Sequence, residues 1–292
     1  MKTLVAVTLL AVAASACGGP WSATPAEREA RTTRRIEALL TDVDATPAQR
    51  AQILGVTSGV RDRHHGDREA TKATRAVFVE QWSADAPDAA VVRLAVEEGV
   101  ALKLAHAHAL VDAGVEIHQT LTPAQRTKLE DQLPLGRARF AMGLVQRAGY
   151  GPPATKEELA ERAEVRFTEA LDELKATDAQ RAALRPLLAA VLDDVAPLTA
   201  TPGTLKDALV SAWQSDKADA VALHALIDLE GDKAAVAAQS AASALIKAHA
   251  ILTVEQRAQL ATRLQNGGGC HHGHHGDTDD DDVAPRLVPK KT

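Results

Sequence analysis

Aromatic residues are nearly missing: three Phe, three Trp and one Tyr in 292 residues. Strands draw on aromatic and β-branched side chains, so this poverty argues against a sandwich or a barrel. Cysteine is confined to Cys17 and Cys270, too few for a disulfide framework. No apolar run reaches the ~20 residues of a membrane-spanning helix. There is no cationic excess either. The 33 Lys and Arg against 39 Asp and Glu leave a net charge of −6, which offers no general field for nucleic acid or an anionic membrane. A glycine-rich phosphate loop, a His-Glu-x-x-His signature and a nucleophile with a marked base are all lacking, so an enzyme is not expected. What is abundant is alanine, the best helix former. With 46% apolar and 25% charged residues the balance is that of a globular chain. The expectation is a mostly helical protein of one or two domains.

The first residues read as an export address. Lys2 precedes an eleven-residue run, Leu4 to Ala14, apolar but for Thr8. Ala14-Ser15-Ala16-Cys17 then closes it with small residues, the order of a secretory signal, excluded from the fold. A cysteine directly after small residues resembles the bacterial lipoprotein signal, in which Cys17 becomes the lipidated N-terminus. Ordinary cleavage near Ala16 is the alternative and leaves a free periplasmic protein.

A duplication follows. Thr46-Pro47-Ala48-Gln49-Arg50 returns as Thr177-Asp178-Ala179-Gln180-Arg181, and Leu121-Thr122-Pro123-Ala124-Gln125-Arg126 as Leu252-Thr253-Val254-Glu255-Gln256-Arg257. Both pairs are offset by 131 residues, and the same ungapped offset aligns Trp82 with Trp213, Asp88 with Asp219 and His118 with His249. The chain divides into a signal peptide (1–16), a tether (17–23), a first half (24–148), a Gly/Pro linker (149–154), a second half (155–267) and a His/Asp-rich tail (268–292).

The repeated motif marks helix starts. In Thr-x-x-Gln the threonine hydroxyl accepts the amide three residues on, and the glutamine reaches back. Thr24 and Thr155, each with Glu three residues later, mark two more, so six starts are predicted. A stripe then steps by three or four, as in Val92, Val96, Gly99, Leu102, His106, Leu110, Ala113 and Ile117. Each half reads as a leading helix, a capped helix, a short helix ending at Trp82 or Trp213, a long helix and a last capped helix, with no sheet.

This arrangement resembles the Spy/CpxP group of periplasmic proteins, which carry the Leu-Thr-x-x-Gln motif. The residues that bear the resemblance are Thr46, Gln49, Leu121, Thr122, Gln125, Thr177, Gln180, Leu252, Thr253 and Gln256. Ala45 and Ala176 depart from it, standing where the family has Leu. The resemblance implies an all-α cradle, made in the family by two antiparallel protomers, that holds unfolding proteins without ATP; some relatives bind zinc, nickel or cobalt. Here one chain carries two protomer equivalents. Either its halves pair with each other in a monomeric pseudo-dimer, or the chain forms a homodimer. The expected partners are unfolded client proteins, with the membrane reached only through a lipid anchor and no nucleic acid bound.

Three groups of residues are candidate sites. Arg61, Arg63, Arg68 and Lys72 form a basic stretch, either a solvated helix face or a rim that attracts acidic clients. Its counterpart in the second half lacks these charges. Residues 24–150 hold 17 basic and 17 acidic residues, whereas 151–269 hold 12 and 17. Beyond Gly267-Gly268-Gly269 lie Cys270, His271, His272, His274, His275 and Asp277, donors suited to Zn, Ni or Cu. This tail supports a second reading, an envelope metal-binding protein acting as a buffer or sensor accessory; no cofactor is required by the first. Among the helix histidines, His106 sits on the apolar stripe, His108 two residues on cannot share its face, and His118 and His249 precede the second box of each half.

Overall fold

The computed structural model describes residues 24–132, 155–199 and 201–265. Among them are nine α-helices, a short 3-10 turn and no strand. In the first half these are α1 (Pro25–Asp42), α2 (Pro47–Ser83), α3 (Ala89–Thr120) and α4 (Pro123–Gln132). In the second they are α5 (Lys156–Glu173), α6 (Asp178–Val195), the 3-10 turn (Ala196–Thr199), α7 (Thr201–Gln214), α8 (Ala220–Ile251) and α9 (Val254–Gln265).

All six threonine starts are helix starts. Thr24, Thr46 and Thr177 close reciprocal capping boxes, and Thr155 accepts from the Glu158 amide. Thr122 and Thr253 each exchange backbone and side-chain bonds with Gln125 and Gln256. Asp88 and Asp219 cap the long helices. The leading helices α1 and α5 end alike. Asp44 and Lys175 take a left-handed conformation (φ 56° and 51°), and the next amides, Ala45 and Ala176, bond back to the Leu40 and Leu171 carbonyls at 2.9 Å. This double return satisfies the last carbonyls and turns the chain into the following box.

One expectation fails. The first half has no separate short helix: α2 runs unbroken for 37 residues, from the capping box through the basic stretch to Trp82. The second half does break there, into α6, the 3-10 turn and α7. The difference is proline. Pro197 and Pro202 lie at the break, while the first half has none between Pro47 and Pro87, so nothing removes an amide or crowds the preceding turn.

The two halves pack on each other around an approximate twofold axis. The long helices α3 and α8 run antiparallel, with Asp112 beside His224, Leu104 against Gly231 and Glu97 beside Gln239. Apolar clusters flank this seam. Val92 and Val96 pack on Ala242 at one end, and their equivalents Leu223 and Ile227 pack with Val111 at the other. Each half also has its own core: one around Ile36, Leu40, Ile53, Ile117 and Leu129, the other around Leu171, Leu184, Leu252 and Ala261. Each is completed by a tryptophan of the opposite half, Trp213 in the first and Trp82 in the second. Helix α9 correspondingly packs on α2.

Candidate functional site

The Leu-Thr-x-x-Gln residues form two matching knots. Gln49 and Gln125 bond amide to amide at 2.9 and 3.0 Å, while Gln49 Nε2 also donates to the Thr120 carbonyl and Gln125 Nε2 to that of Asp44. Gln180 and Gln256 repeat this at 2.8 and 3.2 Å, with donations to Ile251 and Leu174. Each glutamine therefore caps its own helix and ties it to the other capped helix of its half. Leu121 and Leu252 are buried beside them, as are Ala45 and Ala176. The arginine after each box binds carbonyls of the preceding turn: Arg50 that of Ala45, Arg181 that of Ala176, Arg126 those of His118 and Leu121, and Arg257 that of His249. Such cations suit the negative end of a helix.

The two buried histidines join the halves. His118 Nε2 donates to the Ser215 carbonyl at 3.0 Å and stands edge-on to Trp213; His249 Nε2 donates to the Ala84 carbonyl at 2.9 Å and stands edge-on to Trp82. Trp82 Nε1 in turn donates to the Arg257 carbonyl. Burial holds the His118 imidazole below its ordinary value, partly offset by its bond to Ser215 and reinforced by the Arg126 guanidinium. It is therefore a neutral ring in a structural lock between the halves.

All four residues of the basic stretch lie on α2. Arg61, 14% exposed, faces α1 of its own half, where it meets Glu29 and Thr33. Lys72 pairs with Glu69, and Arg63 is exposed. His106 is half-buried and bonds Asp67 of α2 through Nδ1 at 2.9 Å, with the His64 ring alongside. Cys17 and the tail donors Cys270, His271, His272, His274, His275 and Asp277 lie outside the described residues.

Two surface features were not read from the sequence. One is an exposed apolar row. Val221, Leu229 and Val236 on α8 are 79, 54 and 57% exposed, and Leu94 on α3 is 57% exposed. Steps of seven and eight residues keep the α8 positions on one helix face. A twofold axis between antiparallel helices runs normal to their plane, so the equivalent face of α3, which carries Leu94, opens on the same side.

The other is a chain of four polar side chains across the seam. His108 and Asp112 come from α3, His224 and Asp228 from α8. His108 Nδ1 and His224 Nδ1 are 2.6 Å apart, and the far nitrogens reach the opposite helix's carboxylates, His108 Nε2 to Asp228 and His224 Nε2 to Asp112, at 2.8 Å each. The His-x-x-x-Asp spacing, twice on helical segments, was the signal available in the sequence. Among the described residues no three His, Cys, Asp or Glu side chains gather into a ready metal cage. No described helix is long and apolar enough to cross a membrane.

A family model described as "LTXXQ motif family protein" matches the chain twice, over residues 31–133 and 162–264. No curated protein and no solved structure matches it.

Proposed function

Because the chain belongs to the LTXXQ motif family, with the family unit present twice, we propose that it is an ATP-independent, chaperone-like protein of the periplasm that binds unfolded or stress-exposed clients. It works as a binding protein, not as an enzyme. The observation that carries this reading is the row of Leu94, Val221, Leu229 and Val236, large apolar side chains left in water on one side of the paired long helices. Apolar contact is non-directional, so such side chains accept many sequences. Arg63, Arg68 and Lys72 supply positive charge for the first encounter with acidic clients. Cys17 is the lipid anchor that keeps this surface at the membrane, and the tail from Cys270 to Asp277 is an accessory binder of Zn, Ni or Cu.

The test is aggregation of a chemically denatured client diluted into buffer without ATP or metal. The triple substitution Leu94→Ser, Leu229→Ser, Val236→Ser removes side chains that pack little, so the thermal midpoint should hold while suppression of aggregation falls severalfold. Full suppression by this variant would reject the surface. Suppression that requires added nickel or zinc would favour the metal-binding reading instead. Cys17→Ser should move the protein from the membrane fraction to the soluble one; unchanged fractionation rejects the anchor.

A further inference from the structure

We propose that His108 and His224 form a binding site for one divalent transition-metal ion of the zinc, nickel and copper class, set across the seam between the two halves and independent of the client surface. The argument starts from the protons. Each imidazole has its Nε2 2.8 Å from a carboxylate oxygen, His108 from Asp228 and His224 from Asp112. A carboxylate only accepts, so each Nε2 carries a hydrogen. In two neutral rings this leaves both Nδ1 lone pairs aimed at one another across 2.6 Å. Two lone pairs at that separation repel unless a cation lies between them.

The surroundings favour a metal ion as that cation. Metal-bound histidines characteristically donate their other ring N–H to a carboxylate, which orients the ring and makes it a better donor. Both rings already have that support, and in each case it comes from the opposite helix. The carboxylates stand behind the rings, so the site offers two nitrogen ligands and leaves the other positions to water. Imidazole nitrogen suits zinc, nickel and copper, not magnesium or calcium. A tetrahedral ion with bonds of ~2.0–2.1 Å needs its nitrogens about 3.3 Å apart, so the rings must separate by less than an ångström. Each histidine side chain is 28% exposed, enough to move that far and to admit an ion.

The duplication provides an internal control. The 131-residue offset turns His108 and Asp112 into Gln239 and Ser243, and His224 and Asp228 into Arg93 and Glu97. The equivalent place on the other side of the twofold axis is therefore built of Arg93, Glu97, Gln239 and Ser243, where Glu97 and Gln239 share a plain hydrogen bond of 3.2 Å. An arginine and two uncharged side chains cannot ligate a cation as the histidine pair can. The seam thus carries one site, not two, although its two sides descend from the same sequence.

The test uses the full chain with the tail donors removed (Cys270→Ser, His271→Ala, His272→Ala, His274→Ala, His275→Ala), titrated calorimetrically with nickel and with zinc at neutral pH. One ion per chain is expected, with no response to magnesium, and the ion should raise the thermal midpoint because the site joins two helices. His108→Gln and His224→Gln should each abolish binding while helicity by circular dichroism is kept. Asp112→Asn and Asp228→Asn, milder changes that remove only the support, should weaken binding at least about tenfold. The proposal is overturned if the tail-substituted chain binds no nickel or zinc, in which case the nitrogens share only a proton. It is equally overturned if binding persists undiminished in His108→Gln and His224→Gln, which would place the ion elsewhere.

Discussion

At the scale of single residues, the family motif does more than cap. The threonines behave as their spacing predicts, and Thr253→Ala should cost roughly 0.5–2 kcal/mol through the lost acceptor. From the spacing alone the glutamines only close the box; the structure gives them further partners. Gln256 is buried and bonds the Thr253 amide, the Leu174 carbonyl and Gln180. Gln256→Ala strands buried polar groups worth about 1–3 kcal/mol, so its urea midpoint should fall at least as far as that of Thr253→Ala. The second role was illegible because it joins positions 76 apart in the chain, whereas a cap is written within four residues. Lys175 is a simpler case: it holds a left-handed φ of 51°, and Lys175→Gly should stabilise by about 0.5–1 kcal/mol, seen as a raised midpoint. His118 sets a pH dependence. Its folded value lies below the unfolded one, so the unfolded chain takes up the proton first. Its contribution to stability is full above the unfolded value of about 6.5 and is lost as the pH falls from there toward the folded value. Urea midpoints at neutral and at mildly acid pH should differ more for the parent than for His118→Gln, which keeps a donor for the Ser215 carbonyl. An equal difference would show that His118 does not carry this dependence.

At the scale of elements, glycine has opposite meanings on different helices. Gly55 and Gly59 in α2 have open space where a Cβ would go. Gly55→Ala and Gly59→Ala should therefore each gain up to about 1 kcal/mol of helix propensity. Gly231 in α8 should do the reverse. A Cβ there would come within 2.4 Å of Leu104 Cδ2 and 2.9 Å of its Cδ1, at the crossing of the two long helices. Gly231→Ala should cost about 1–3 kcal/mol by overpacking, and adding Leu104→Ala should recover part of it. Thermal midpoints of the three single variants and the double variant decide the matter. The elements themselves were largely legible, because caps, heptad-like spacing and prolines are local signals. The short helix expected before Trp82 is instead part of α2: the prolines that divide α6 from α7 have no counterparts in 48–86, and a helix continues where nothing stops it.

At the scale of the whole molecule, the duplication told that there are two halves but not how they interlock. The decisive contacts join residues that no local pattern relates, such as Trp82 with the Arg257 carbonyl, 175 positions away. The arrangement makes each core incomplete alone, since the first lacks Trp213 and the second lacks Trp82. Trp213→Ala and Trp82→Ala should each cost about 3–5 kcal/mol, and should do so by loosening the pairing of halves as well as one core. The equivalence of the two tryptophans leads to a sharper expectation. In an isolated first half, residues 18–150, the place of Trp213 stands open while Trp82 has lost its own core. A second copy of that half presents Trp82 in the same relation to the open place that Trp213 has in the full chain. The isolated half should therefore dimerise, and Trp82→Ala should leave it monomeric and much less stable. The full chain should stay a monomer across the same concentrations, because the short link holds its halves at high effective concentration. Sedimentation equilibrium of the two species tests this. An isolated half that is monomeric and as stable as the whole chain would show that the exchanged tryptophans do not hold the halves together.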